Sequence, residues 1–123
     1  MTSAELADLV VSAFTGEPED LVEVFADDGV LTDQPGQPPA VGHSAITAFF
    51  MAYGGRREIA KVDDVFVVGD RGGLSYTVWF RADAHTYGQH GRVLLTFDDQ
   101  GQIAIWDGAW EELEATLQPW DGD

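Results

Sequence analysis

Cysteine is absent from this 123-residue chain, which excludes disulfides and thiolate metal sites. Basic residues are scarce as well. Six Lys and Arg stand against 22 Asp and Glu, a formal net charge of −16. Such a surface repels phosphate backbones and anionic lipid, so neither a nucleic-acid nor a membrane role is expected. No apolar run approaches the roughly 20 residues of a membrane-spanning helix. The opening MTSAELADLV lacks the basic start and hydrophobic stretch of a secretion signal, so a cytoplasmic protein is the expectation. The acids are scattered and form no Asp-x-Asp-x-Asp-Gly loop. The three histidines, His43, His85 and His90, supply no third ligand beside His85 and His90 for zinc. GDRGG at 69–73 reads as a hairpin turn rather than a phosphate cradle. No metal and no organic cofactor is expected.

What is present is a globular composition, 45% hydrophobic and 11% aromatic. That is enough for one core at this length but not for two, so residues 1–123 read as a single domain. Thr2 and Glu5 have capping-box spacing, and Leu6, Leu9, Val10, Ala13 and Phe14 follow at helical spacing. Pro18 suits the first turn of a second helix with Leu21, Val22 and Phe25 inward and Gly29 as its stop. A short strand at 30–33 and the proline-stiffened QPGQPPAVG loop lead to a third helix. There Ala45, Ile46, Phe49, Phe50 and Tyr53 share a face before Gly54 and Gly55.

Beyond residue 56 the period changes from helical to alternating. Leu74, Tyr76, Val78, Phe80 and Ala82 alternate with Ser75, Thr77, Trp79, Arg81 and Asp83, while Val93, Leu95 and Phe97 alternate with Arg92, Leu94 and Thr96. On the last strand Trp106, Gly108 and Trp110 share one face and Ile103, Ile105 and Asp107 the other. TYGQ between His85 and His90 reads as a hairpin tip, and EELEATL as a short closing helix. Helices followed by an antiparallel meander give an α+β fold, with helices laid across one face of a curved sheet. Large apolar residues on the second face, Trp79, Leu94 and Ile105, point to a homodimer through that face.

Asp33 ends the short strand just before the prolines. A carboxylate there is either a turn residue satisfied by nearby N–H groups or a proton-transfer group aimed into an apolar cavity. In the second case desolvation would raise its pKa, which suits a general base near neutrality. His85 at the mouth is a candidate acid–base partner.

The stretch LVEVFADDGVLTDQPGQPPAVGHSAITAFF resembles the front half of a SnoaL-like protein of the NTF2-like superfamily. Its wording is a FADD segment, a strand ending in an acid, a Pro/Gly loop and a G-x-x-A-I-x-x-F-F helix. GLSYTVWF and TFDDQGQIAIWDGAWEEL resemble the back half of the same group, which includes limonene-epoxide hydrolases and ketosteroid isomerases. The resemblance implies a cone: a curved antiparallel sheet wrapped around N-terminal helices, with an apolar pocket for a small hydrophobic molecule. In that cone Phe50, Tyr53, Tyr76, Phe80 and Trp106 would line the pocket, with Phe14, Val78, Val93, Leu95, Gly108 and Trp110 completing its walls. Asp33 falls where the isomerases place their proton-abstracting carboxylate. Their oxyanion tyrosine and second acid correspond to Leu9 or Val10 and to Val93, so Tyr76 or Tyr53 would have to supply that hydroxyl. The Arg and first Asp of the hydrolases correspond to Trp79 and Arg81, their second Asp to Gly108, their Tyr to Leu31 and their Asn to Asp33. The resemblance therefore implies either a cofactor-independent isomerase, hydrolase or cyclase with Asp33 as base, or a non-catalytic binding module for a small hydrophobic ligand or a protein.

Overall fold

The computed structural model describes residues 1–54, 57–82 and 85–113; side chains at 53–54, 57–58, 81–82 and 85–86 lie outside the described set. Three helices, α1 (Ser3–Phe14), α2 (Glu19–Glu23) and α3 (His43–Gly54), precede or interrupt the strands β1 (Phe25–Thr32) and β2 (Ala40–Val41). The long strands β3 (Arg57–Val68), β4 (Arg71–Ala82), β5 (His85–Phe97) and β6 (Ile103–Leu113) follow. They form one curved, open sheet in the order β2-β1-β6-β5-β4-β3. Every pairing is antiparallel except that of β1 with β6, which is parallel.

α1 starts as its spacing predicts. The Thr2 hydroxyl oxygen accepts the Glu5 N–H at 3.1 Å, satisfying one of the donors a helix start leaves open. Leu6, Val10, Ala13 and Phe14 are buried on one face.

The second helix is shorter than expected and does not run to Gly29. The Ile103 N–H donates to the Val24 carbonyl at 2.8 Å, and Phe25 pairs with Ile103, so the chain leaves the helix to join β6. Residues 26–29 form an irregularity between the Phe25 and Val30 pairings. Gly29 sits inside it as a packing residue rather than a helix stop. A Cβ there would stand 3.0 Å from the Ala26 carbonyl and 3.1 Å from that of Ile103. At the start of α3, the His43 ring Nε2–H donates to the Phe25 carbonyl at 2.8 Å, tying the helix to this irregular stretch.

The alternation predicted for β4 and β5 holds. Leu74, Tyr76, Val78, Phe80, Val93, Leu95 and Phe97 are buried on the inner face, and Arg92 and Leu94 are exposed on the outer. β6 differs from its reading at one end. Thr96 pairs with Ile105 but Phe97 pairs with Ile103. Ala104 is the extra residue of a bulge that turns Ile103 into the core, while Ile105 stays outside. TYGQ is not a hairpin tip but part of β5, since the β4–β5 register continues to Ala82 and His85. Glu111, Glu112 and Leu113 belong to β6 rather than to a closing helix; residues 114–117 of that reading lie outside the described residues.

Trp79 faces outward yet is only 8% exposed. Gly88, directly across in β5, leaves it room, because a Cβ there would come within 3.2 Å of the indole Cδ1. The Lys61 ammonium stands 5.7 Å from the ring centroid, a cation–π distance. Trp79 is thus covered by its own chain and needs no partner for that purpose.

A chain at −16 repels itself most when compact, and added salt screens that repulsion. Its melting temperature is expected to rise by several degrees between low and high sodium chloride in calorimetry. A melting point that falls or stays level would contradict self-repulsion as a significant term.

Candidate functional site

The site is built where the end of β1 crosses the inner face of β6. Leu31 is buried, and Thr32 and, just past the strand end, Asp33 are partly so. Gly108 makes the crossing possible. A Cβ there would stand 2.9 Å from the Thr32 carbonyl oxygen and 3.2 Å from that of Asp33. The strand end covers Gly108 directly, so this glycine is a packing requirement of the site rather than an open wall.

Beyond Gly108, Trp110 returns to the inner face and its indole Nε1–H donates to Asp33 Oδ2 at 3.0 Å. The neighbouring Gln34 fastens the same two strands with its side-chain amide. Its Nε2–H donates to the Trp110 carbonyl and its Oε1 accepts the Trp110 N–H, both at 2.8 Å. The amide thereby acts as one more rung of the parallel β1–β6 ladder after the backbone has left it. Asp33 is held by strand register, by the Trp110 indole and by the Gln34 clamp beside it.

Aromatic side chains continue the inner face from there. Tyr76, Gly91 and Trp110 occupy one cross-strand row. A Cβ at Gly91 would come within 2.4 Å of the Tyr76 ring and its hydroxyl, so the ring lies across Gly91. Behind it, Tyr76 meets Phe14 at 4.6 Å between centroids. Phe14 meets Phe50 edge-on at 5.6 Å, and Phe50 meets Trp106 at 6.0 Å, also edge-on. These separations fall in the range where ring quadrupoles attract. Phe80 stacks on Tyr87 at 5.5 Å further along β4 and β5. Val78, Val93 and Leu95 belong to the packed core against the helices. Tyr53 falls in α3 and His85 at the start of β5, but both side chains lie outside the described residues.

Three features escaped the sequence reading. The first is Trp110 as a hydrogen-bond donor to Asp33. The second is the Gln34 clamp. The third is Gln89, 9% exposed and opposite Val78, which puts a polar side chain on the inner face. Only Gln89 had a local signal, since it stands an even number of residues from Val93 and so shares its face.

His90 lies on the outer face instead. There the Thr77 hydroxyl donates to Asp63 Oδ2 at 2.7 Å and lies 3.2 Å from His90 Nδ1. Asp63 also pairs with Lys61 at 3.4 Å. Among the described residues no group of three His, Asp or Glu side chains is placed to hold a metal ion, and no helix is long and apolar enough to cross a membrane.

A curved sheet wrapped on helices, with a carboxylate turned inward at the end of its first strand, defines an NTF2-like α+β domain. The family model for the SnoaL-like domain matches residues 8–106, and the chain belongs to that family. A similar solved structure is that of the epoxide hydrolase/cyclase-like enzyme SalBIII, described for pyran ring formation in the polyether salinomycin. It is 13% identical, with a TM-score of 0.69 over 81% of this chain and 82% of that one. No curated protein matches the chain.

Proposed function

We propose that this SnoaL-like chain is a cofactor-independent isomerase, hydrolase or cyclase acting on a small hydrophobic molecule, with Asp33 as its general base. The observation that supports it is the Asp33–Trp110 bond at 3.0 Å, on the inner face next to the Tyr76 ring. One carboxylate oxygen is oriented by the indole, and a hydrogen bond to an ionised acceptor is worth about 1.5–3 kcal/mol. As base, the carboxylate takes a proton from a carbon next to a carbonyl or from a water. Proton removal gives the carboxylic acid and an enolate or hydroxide-like nucleophile, and the hydroxyl of Tyr76, in the same cross-strand row as Trp110, is the group assigned to stabilise developing negative charge.

A second reading rests on Gln34. Its paired bonds to Trp110 make residues 33–34 a structural strap, in which Asp33 only helps to hold β1 on β6. The domain would then be a binding module.

The two readings separate in heavy water with 2-tetralone, a flat bicyclic ketone with exchangeable hydrogens beside its carbonyl. Under the catalytic reading the protein accelerates their exchange for deuterium, followed by NMR, and Asp33→Asn abolishes the acceleration. Equal rates with the two proteins would contradict the base assignment.

A further inference from the structure

We propose that the outer face of the sheet carries a second site, which binds a small zwitterionic amino acid between His90, Glu111 and Arg92. The site begins at a bulge. Val62 pairs with Tyr76 and Asp64 with Ser75, so Asp63 is an extra residue of β3. A bulge re-aims the side chain it carries, and Asp63 here reaches Thr77 on β4. The Thr77 hydroxyl, 6% exposed, donates to Asp63 Oδ2 at 2.7 Å. Lys61 holds the other carboxylate oxygen at 3.4 Å. With its one proton engaged by Asp63, the Thr77 oxygen accepts from His90 Nδ1, 3.2 Å away. Asp63 Oδ2 lies 3.5 Å from the same nitrogen. The neutral ring therefore carries its proton on Nδ1 and its lone pair on Nε2.

Two acceptors then stand side by side. Glu111 is directly opposite His90 in β6, and both border a hollow of about 340 Å³ together with Arg92 and Ala109. Residues opposite one another in an antiparallel pair have Cβ atoms only about 4.5–5.5 Å apart. Acceptors at that spacing suit an ammonium, which has three N–H donors and no lone pair. Arg92 is two residues from His90 on the same face, and its cross-strand neighbour is the small Ala109. Arg92 and Glu111 are exposed, and neither has an ion pair or hydrogen bond among the described residues. Lys61 and Arg71, by contrast, are paired with Asp63 and Asp70. The Arg92 guanidinium is left for a carboxylate.

Charge favours one ligand that carries both signs. A lone anion on Arg92 meets Glu111 beside it and the −16 of the whole chain. A lone cation leaves Arg92 unmatched and finds acids all over the surface. A zwitterion satisfies both ends and has no net charge to be repelled. Two residues along a strand span roughly 6.5–7 Å, so an amine and a carboxylate separated by a few carbons fit the spacing of His90 and Arg92.

γ-Aminobutyrate is a probe of that length, and butyrate and butylamine each lack one of its charges. Each is titrated into the isotope-labelled full chain in mildly alkaline buffer, where an imidazole is ordinarily neutral, and amide shifts are followed by NMR. The shifts are expected around His90, Arg92, Ala109 and Glu111. γ-Aminobutyrate should bind about threefold or more tighter than either control, the scale of an exposed charge pair. Arg92→Gln should remove its lead over butylamine, and Glu111→Gln its lead over butyrate. The ring nitrogen shifts of His90 should show an unprotonated Nε2. Equal affinity for the three probes, shifts centred on Asp33 and Tyr76 instead, leads that survive both substitutions, or a proton on Nε2 of the neutral ring would overturn the proposal.

Discussion

Asp33→Asn is expected to lower the rate of exchange beside the carbonyl of 2-tetralone by about two to four orders of magnitude, the share that a positioned general base contributes. The amide keeps the shape of the carboxylate and can still accept from the Trp110 indole, so the fold should persist. Trp110→Phe keeps the carboxylate and removes only the donor now 3.0 Å from it. A smaller loss, about tenfold, is expected from a base that is present but no longer oriented, since tenfold corresponds to about 1.4 kcal/mol of lost positioning. Gln34→Ala is the internal control. It should cost about 1–2 kcal/mol in urea unfolding, because two part-buried hydrogen bonds between the strands are lost, and leave the exchange rate nearly unchanged. The strap reading inverts this pattern: all three substitutions would lower stability by similar amounts, and none would alter exchange.

Phe50→Ala is expected to have the largest effect on stability, about 3–5 kcal/mol. The ring is fully buried and meets Phe14, Phe49 and Trp106, all edge-on. Each such pair contributes about 0.5–1.5 kcal/mol beyond burial itself. Domains of this size commonly have only about 5–15 kcal/mol in total, so the variant should unfold at much lower urea. Phe50→Leu, which keeps most of the volume, should cost appreciably less. A loss under about 1.5 kcal/mol for the alanine variant would mean that Phe50 borders open space rather than a packed interior, and that the aromatic set yields readily to a ligand.

The parts of the fold legible in the sequence are those fixed by local rules. Thr2 and Glu5 mark a helix start because the cap is made within one turn. Leu74 to Phe80 and Val93 to Phe97 mark an inner face because a strand alternates whatever its neighbours do. The stretch from Val24 to Gly29 was not legible. Its spacing is helical, but its backbone partner is Ile103, far along the chain, and no local pattern encodes a parallel pairing of that separation. Ile103 itself was assigned to the wrong face because one inserted residue, Ala104, reverses the alternation. Trp79 looked like an interface residue because sequence shows its size but not the bare Gly88 that gives it a bed. At the site, Asp33 was identifiable from its place at a strand end. Its donor Trp110 lies 77 residues away and was legible only as an aromatic on the inner face. Tyr76 was legible as an inward tyrosine, but the position of its ring depends on the empty Cβ position of Gly91.

The central claim is that Asp33 faces the bound molecule, and a crystal structure with 2-tetralone tests it most directly. The account predicts the bicyclic ring on the inner face near Tyr76, with a carboxylate oxygen of Asp33 about 3–3.5 Å from a carbon next to the carbonyl, a reacting distance. A ketone seated elsewhere, with Asp33 touching only Trp110 and the β1–β6 junction, would contradict it.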